Sequence, residues 1–170
     1  MDKTFVIGVD PGQSSAGISV FSSDGSLVEH ATVKVWCTDS CADAVRRLNQ
    51  AIIRVFPDHR WPMVPRRYSA VVYCEIPQNG THASRGGVHW AGGMLLMLLR
   101  LSFDIRRRDV RLVKPDLWRR HYGKLRKGTS WKAWSKRTAS RLFAAEAESD
   151  DEAEAILIGA FGAEQEGGKK

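Results

Sequence analysis

The chain has 170 residues and a mass of 19.0 kDa, with 43% hydrophobic and 26% charged residues, so we expect one folded domain with its own apolar core. No apolar run approaches the roughly 18 residues that a membrane helix requires, and the N-terminus lacks the layout of a signal peptide. Three cysteines without metal-finger spacing exclude a disulfide-stapled scaffold, and we expect a cytoplasmic protein.

The net charge of +7 is unevenly distributed along the chain. Residues 1–99 hold nine basic and eight acidic side chains, residues 100–141 hold fifteen basic and three acidic ones, and residues 142–168 hold eight acidic and no basic ones. The middle segment, with a net charge of +12, is typical of a surface that binds a polyanion, although a solvated helix surface explains a basic run equally well. The acidic segment needs a separate explanation.

The first forty residues predict three strands that form a meander. Residues 4–10 are an apolar run that ends in the carboxylate of Asp10, and a Pro-Gly turn follows. Residues 15–21 predict the second strand, and an Asp-Gly turn at residues 24–25 leads into the third, at residues 26–35.

Helices and strands alternate in the rest of the chain. Further strands are predicted at residues 69–75, whose apolar content suits burial on both faces, and at residues 110–113. The predicted helices cover residues 41–56, roughly 88–103, 115–122, about 131–145, and 149–162. This order predicts an α/β domain over residues 1–163, with a mixed five-stranded sheet (a three-stranded antiparallel meander plus parallel strands) flanked by helices, and a disordered tail at residues 164–170.

Four carboxylates stand where a metal site could form. Asp10 and Glu75 end two predicted central strands, whose carboxyl ends meet at one sheet edge, although either acid alone could simply mark a strand end in water. Two carboxylates placed there repel each other unless a cation such as Mg²⁺ lies between them. Asp151 and Glu154 are three residues apart on one face of an otherwise apolar helix. Helix capping would explain Asp150 well, but Glu154 less well.

Short motifs in the same order resemble those of RuvC-type Holliday junction resolvases, which belong to the RNase H-like superfamily. The segments FVIGVDPG (residues 5–12) and AGISVF (16–21) resemble the family's opening strands, and VVYCEIP (71–77) resembles its second motif. DDEAEAILIG (150–159) resembles the closing acidic motif, and KPDLWR (114–119) resembles part of the basic segment. The resemblance covers nearly the whole chain.

Two positions depart from the family pattern. Glu154 stands where the family commonly has Asp, which shifts the reach of the carboxylate by one methylene. The doublet of Asp150 and Asp151 leaves the register open by one residue, and Asp151 with Glu154 aligns the following apolar stretch best.

The resemblance implies an RNase H-like fold and a homodimeric, metal-dependent endonuclease that resolves four-way DNA junctions by paired nicks, leaving 5′-phosphate and 3′-hydroxyl ends, without a membrane or small-molecule partner. Asp10, Glu75, Asp151 and Glu154 would bind two Mg²⁺ ions, with Mn²⁺ as a substitute. A lysine assists catalysis in the family, for which Lys136 is the first candidate and Lys132 the second, although both could simply bind phosphates. The apolar surface of residues 88–101 predicts the dimer interface.

We expect the basic side chains to bind the DNA backbone without reading its sequence. The predicted DNA contacts are Arg85, Arg106, Arg107, Arg108, Lys114, Arg119, Arg120, Lys124, Arg126, Lys127, Lys132 and Arg137.

Other functions fit the sequence less well. A ribonuclease H that acts on RNA–DNA hybrids usually has an acid on its first helix, where this chain offers only Asp43. A branched-DNA-binding protein without cleavage would have lost an acid, whereas all four positions are filled. An actin-like or sugar-kinase ATPase needs two related domains, for which 170 residues are too few.

Overall fold

The computed structural model describes residues 4–12, 15–34, 43, 46, 68–76, 99, 103–125 and 128–167. The predicted helices at residues 41–56 and 88–103 lie outside these ranges, apart from Asp43, Arg46 and Leu99, which are helical, and Phe103. Within the described ranges, no helix is both long enough and apolar enough to cross a membrane. The elements are β1 (Thr4–Pro11), β2 (Ser15–Phe21), β3 (Leu27–Lys34), β4 (Tyr68–Glu75), β5 (Phe103–Asp104), a 3₁₀ turn (Arg107–Asp109), β6 (Val110–Val113), α1 (Pro115–His121), α2 (Trp131–Phe143) and α3 (Asp150–Gly167).

The sheet has the predicted mixed architecture. Its strand order is β3-β2-β1-β4, in which β1, β2 and β3 form an antiparallel meander and β4 runs parallel to β1. On the free side of β4, β5 pairs in parallel with its beginning and β6 with its end. The fifth position of the sheet is therefore filled by two short segments, with the 3₁₀ turn between them.

Both faces of the sheet are covered, as the apolar strands predict. On one face, Phe5, Ile7 and Val9 of β1 belong to a core cluster that also contains the buried Phe103. On the other face, Val6 packs in a second cluster with apolar residues of α1, α2 and α3. The period-two alternation along β1 thus supplies two separate cores.

Several predicted element bounds are wrong. Phe103 begins β5 instead of ending a helix, because its ring is fully buried at the sheet edge. α2 ends at Phe143, since Ala144 has a left-handed backbone with φ of 52°. α3 continues to Gly167, so the predicted disordered tail is wrong for residues 164–167, while residues 168–170 lie outside the described ranges.

Glycines allow α3 to lie directly on the sheet. A Cβ atom on Gly8 of β1 would lie 2.2 Å from the carbonyl oxygen of Ala155, and one on Gly17 of β2 would lie 1.9 Å from the carbonyl oxygen of Asp151. Both distances are far below van der Waals contact, and both opposing atoms belong to the helix backbone, which cannot rotate away. These glycines therefore set the height of the first turns of α3 above the sheet.

We expect Gly17→Ala to lower the free energy of unfolding by about 2–3 kcal/mol or more, because the new methyl group must push α3 off the sheet. Urea denaturation measures this. Gly167→Ala is the control: nothing lies within 4 Å of that position, and we expect a change below about 0.5 kcal/mol. Equal stability of the two variants would contradict the close packing.

Candidate metal centre

The parallel ladder of β1 and β4 places two carboxylates side by side. Its register aligns Val9 with Cys74, so the next residues, Asp10 and Glu75, are neighbours at the carboxyl ends of the two strands. Val9 and Cys74 point into the first core cluster, and strand alternation directs the two acids to the opposite face, which α3 covers. The prediction that the two strand-end acids meet at one sheet edge follows from this register.

α3 adds a third carboxylate from the buried side chain of Glu154. One oxygen each of Asp10, Glu75 and Glu154 lies within 4.8 Å of the others, and we call these three residues the acid trio. An all-oxygen set of carboxylates suits a hard divalent cation such as Mg²⁺ or Mn²⁺, whereas Zn²⁺ sites usually contain nitrogen or sulfur ligands. The trio therefore could hold a metal ion.

The raised pKa values of Asp10 and Glu75 show how much negative charge is concentrated in the acid trio. Burial, together with repulsion from Glu75, Glu154 and Asp151, raises the pKa of Asp10 well above its usual value, against a smaller opposing effect of Arg119. Burial raises the pKa of Glu75 to about 7, although Arg119 and a hydrogen bond from Trp118 act in the opposite direction. A bound cation would stabilise the charged forms of both carboxylates and so lower both pKa values.

The two residues of the acidic doublet have different partners. Asp151 accepts a hydrogen bond from the Ser15 hydroxyl, and its charge contributes to the raised pKa of Asp10. Asp150 instead forms ion pairs with lysines of α2. Asp151 is therefore the doublet residue beside the acid trio, although its carboxylate is not one of the three mutually close groups.

The two lysine candidates belong to α2, and their ammonium groups lie next to the start of α3. Lys136 donates a hydrogen bond to the carbonyl oxygen of Glu148 at 3.2 Å, and its Nζ is 3.7 Å from Asp150 Oδ1. Lys132 Nζ is 3.3 Å from Asp150 Oδ2. Both contacts join α2 to the N-terminus of α3, and the catalytic role of Lys136 stays a prediction.

Arg119 lies among the acids, although the basic segment predicts it as a DNA contact. Its Nη2 donates to Glu154 Oε2 at 2.8 Å and is 3.9 Å from Glu75 Oε1. The guanidinium carbon lies 4.9 Å from the ring centre of Trp118 and 5.1 Å from that of Trp131. An arginine in a run of basic residues carries no sequence signal that separates it from its neighbours.

Two neutral donors that the sequence did not indicate also hold the acid trio. Trp118 is fully buried, and its Nε1 donates to Glu75 Oε2 at 2.6 Å. The buried Ser135 hydroxyl lies 3.2 Å from Glu154 Oε1 and 2.9 Å from the carbonyl oxygen of Trp131, and its single proton serves one acceptor at a time. Each donor orients a carboxylate without adding charge.

Glu152 is an acid of another kind. It is 1% exposed, contacts His30 Nδ1, and accepts hydrogen bonds from the Thr32 hydroxyl at 2.7 Å and the Glu148 amide at 3.1 Å. Burial would raise its pKa, but the hydrogen bonds from His30, Thr32 and the Glu148 amide, together with the charge of His30, outweigh burial and lower it. Glu152 therefore anchors the first turn of α3 to β3.

Most of the predicted DNA contacts in the described ranges are exposed. Arg85, Arg126 and Lys127 lie outside those ranges. A surface cavity of about 570 Å³ brings two predicted contacts, Lys124 and Arg137, together with Arg141. The exposed predicted contacts are Arg106, Arg107, Arg108, Lys114, Arg120, Lys124, Lys132 and Arg137.

Comparison with known proteins identifies the fold. No protein-family model and no curated protein sequence matches the chain. Thermus thermophilus RuvC in complex with a Holliday junction substrate is 15% identical, with a TM-score of 0.54 over 98% of this chain and 95% of RuvC. A second T. thermophilus RuvC structure is 16% identical, with a TM-score of 0.53 over 95% of each chain. A Fowlpox virus resolvase in complex with Holliday junction DNA is 14% identical, and its TM-score of 0.44, over 95% of this chain and 97% of the resolvase, supports no argument.

These similarities establish that the chain has the RuvC-like RNase H fold, as the sequence motifs predict. At this level of identity they show the fold alone.

The raised carboxyl pKa values predict a dependence of stability on pH and Mg²⁺. Because the pKa of Glu75 rises from 4.5 to about 7 on folding, its contribution to stability is complete below pH 4.5 and is lost as the pH rises through 7. We therefore expect Mg²⁺ to raise the melting temperature strongly at about pH 8 and little at about pH 5, where a proton competes with the ion for Glu75. Thermal unfolding measures this, and an equal rise in melting temperature at both pH values would contradict the link between protonation and Mg²⁺ binding. Glu75→Gln should reduce the difference between the rises at the two pH values.

We expect Glu152→Ala to lower the free energy of unfolding by about 3 kcal/mol, because it leaves the groups on His30, Thr32 and the Glu148 amide without their buried acceptor. The measurement is urea denaturation at neutral pH. Glu164→Ala is the control, since Glu164 pairs with His121 on an exposed part of the same helix. A loss below about 1 kcal/mol in Glu152→Ala would show that the anchor contributes little.

Proposed function

We propose that the chain is a metal-dependent endonuclease that resolves four-way DNA junctions. One observation carries the proposal: three carboxylates from β1, β4 and α3 converge at the carboxyl ends of two neighbouring parallel strands, in a chain with the RuvC fold. Such sheet ends are where open α/β sheets bind their ligands. The acid trio, with Asp151 beside it, is thus the proposed catalytic centre.

The side chains prepare the centre for phosphodiester hydrolysis. Two Mg²⁺ ions, for which Mn²⁺ can substitute, would supply the Lewis acidity that hydrolysis requires. The products of the proposed reaction are 5′-phosphate and 3′-hydroxyl ends. Trp118 donates to one oxygen of Glu75 and so fixes the orientation of that carboxylate. Ser135 orients Glu154 in the same way from α2. These contacts fix the carboxylates before the substrate arrives.

The exposed cations supply the binding surface for the proposed substrate. The 3₁₀ turn, α1 and α2 carry arginines and lysines in a segment with a net charge of +12, which suits the phosphates of branched DNA. We propose a homodimer in the cytoplasm, because symmetric resolution of a junction needs two centres. The predicted interface at residues 88–101 lies outside the described ranges, apart from the buried Leu99.

We propose Lys136 as the lysine that assists the reaction. It follows Ser135 in α2, whose hydroxyl contacts Glu154, so its side chain starts next to the acid trio. Its contacts with the Glu148 carbonyl and Asp150 are partly exposed and can be exchanged for a substrate phosphate. Lys132, which pairs with the same Asp150, is the second candidate.

One described residue argues against a ribonuclease H activity. Asp43, the only acid that the predicted first helix offers, is exposed and pairs with Arg46 of the same helix. It therefore lies on the helix surface and is engaged there, and the trio is completed from α3 instead.

Asp10→Asn and Glu75→Gln each remove one negative charge from the trio. We expect each to reduce junction cleavage by at least about 100-fold, because metal binding is lost, while junction affinity stays within about threefold. The assay uses a synthetic four-way junction, a linear duplex and an RNA–DNA hybrid, each with Mg²⁺ or Mn²⁺. Asp116→Asn, at an exposed position that pairs with Arg120, is the matched control and should cleave normally.

The assay separates the alternatives. Paired nicks confined to the junction support the proposal, and cleavage of the hybrid alone would overturn it. Parallel loss of binding and cleavage in the trio variants would show that these acids are structural. Junction binding without any cleavage would indicate a branched-DNA-binding protein.

A further inference from the structure

We propose that Arg119 is a resident cation of the acid trio that is exchanged for the divalent ion, and that the released guanidinium then binds a backbone phosphate of the DNA. Metal loading and phosphate capture would thereby be coupled through one side chain. The exchange concerns the metal centre itself, and only the phosphate step rests on the proposed function.

The contacts of Arg119 place it in competition with a metal ion. Its Nη2 donates to Glu154 Oε2 at 2.8 Å and lies 3.9 Å from Glu75 Oε1, so it contacts oxygens of two of the three acids. The hydrogen bond from Arg119 uses a lone pair of Glu154 Oε2 that a metal bound to that oxygen would need. A divalent ion at the trio would also repel a positive charge held at this distance. Binding of the ion therefore disfavours the present position of Arg119.

The surroundings of Arg119 allow it to leave the acids without leaving the site. The carbon of its guanidinium lies over the rings of both Trp118 and Trp131, at 4.9 and 5.1 Å from their centres, and these cation–π contacts do not depend on the carboxylates. Its side chain is 23% exposed, which gives it access to solvent. Its Nε is buried and has no hydrogen-bond partner among the described residues, so the present position leaves one donor unsatisfied.

A phosphate is the ligand that suits the released group. The guanidinium fork binds two phosphate oxygens at once, and arginine is less strongly hydrated than lysine, which favours a partly buried position. The metal neutralises the acids, and Arg119 then offers its charge to the incoming substrate. Arg119 thus stabilises the carboxylates in the absence of the metal and contributes to phosphate binding in its presence.

Arg120 provides a matched comparison on the same helix. Its side chain is 73% exposed and pairs with Asp116 one turn away, so it shares the charge and sequence surroundings of Arg119 but contacts none of the acid trio in the described ion pairs. Any effect that comes only from the basic character of α1 should appear in both variants.

The exchange is tested by calorimetric titration of Mn²⁺ into the full chain without DNA. We expect Arg119→Gln to bind Mn²⁺ about tenfold more tightly than the wild type, because the competing cation is gone, while Arg120→Gln binds it as the wild type does. Arg119→Lys, which keeps the charge but loses the fork, should lie between them and serves if Arg119→Gln does not fold by circular dichroism. Equal or weaker binding in the Arg119 variants would overturn the exchange.

Tryptophan fluorescence gives a second readout that does not depend on affinity. Addition of Mg²⁺ should change the emission of the wild type and of Arg120→Gln, since the guanidinium shifts relative to the rings of Trp118 and Trp131 when it releases Glu154, and should change that of Arg119→Gln much less. A wild-type emission that is unchanged at saturating Mg²⁺ would overturn the exchange. If neither the wild type nor any variant binds a divalent ion, both the exchange and the metal centre of the proposed function are contradicted. If the ion titrations give the expected result but the wild type does not cleave the junction, the exchange is supported and only the proposed function is contradicted.

Phosphate capture is tested by junction binding in Ca²⁺ or in a chelator. We expect Arg119→Gln to bind the junction as well as the wild type in the chelator but about fivefold more weakly in Ca²⁺, where the guanidinium has been released. Arg120→Gln should weaken binding by the same factor in both conditions. Equal loss in both conditions for Arg119→Gln would overturn the coupling.

Discussion

Repulsion among partly buried carboxylates is the constraint on which the centre of this structure depends. Asp10, Glu75 and Glu154 lie within 4.8 Å of one another where water is largely excluded, and Asp151 adds a further negative charge nearby. Left alone, such a group would protonate or separate. The structure holds it together with the cation of Arg119 and with neutral donors from Trp118 and Ser135, each bound to a particular oxygen.

The centre exists only because α3 lies unusually close to the sheet. Gly8 and Gly17 leave no room for side chains beneath the helix backbone, and Glu152 anchors the first turn to His30 and Thr32 on β3. Helix α3 thus carries two kinds of acid only two residues apart, which places them on different sides of the helix. Glu152 faces satisfied donors and stabilises the fold, whereas Glu154 faces other carboxylates and costs stability in the absence of a cation.

Local patterns were sufficient for the sheet and for most of the acids. The apolar runs of β1 and β4 have lengths and strand-end carboxylates that the sequence shows directly, and their parallel register then makes Asp10 and Glu75 neighbours. Features that depend on tertiary contacts could not be predicted in this way. β5 exists because Phe103 is buried at the edge of β4, and the last turn of α3 is held by the hydrogen bond from the Tyr73 hydroxyl to Glu166.

The position of Arg119 shows why a count of charges is insufficient to map a binding surface. Every arginine of the basic segment contributes equally to its net charge of +12, yet Arg120 extends into solvent while its neighbour Arg119 turns toward the acids. Consecutive residues on a helix point about 100° apart, so one basic run necessarily presents charge both to solvent and to the protein. A segment that binds polyanions can therefore also supply the counterion of an acidic site, provided that the helix packs beside that site. Here the hydrogen bond from Trp118 to Glu75 fixes α1 beside the site, and the next residue, Arg119, therefore contacts Glu154 of the trio.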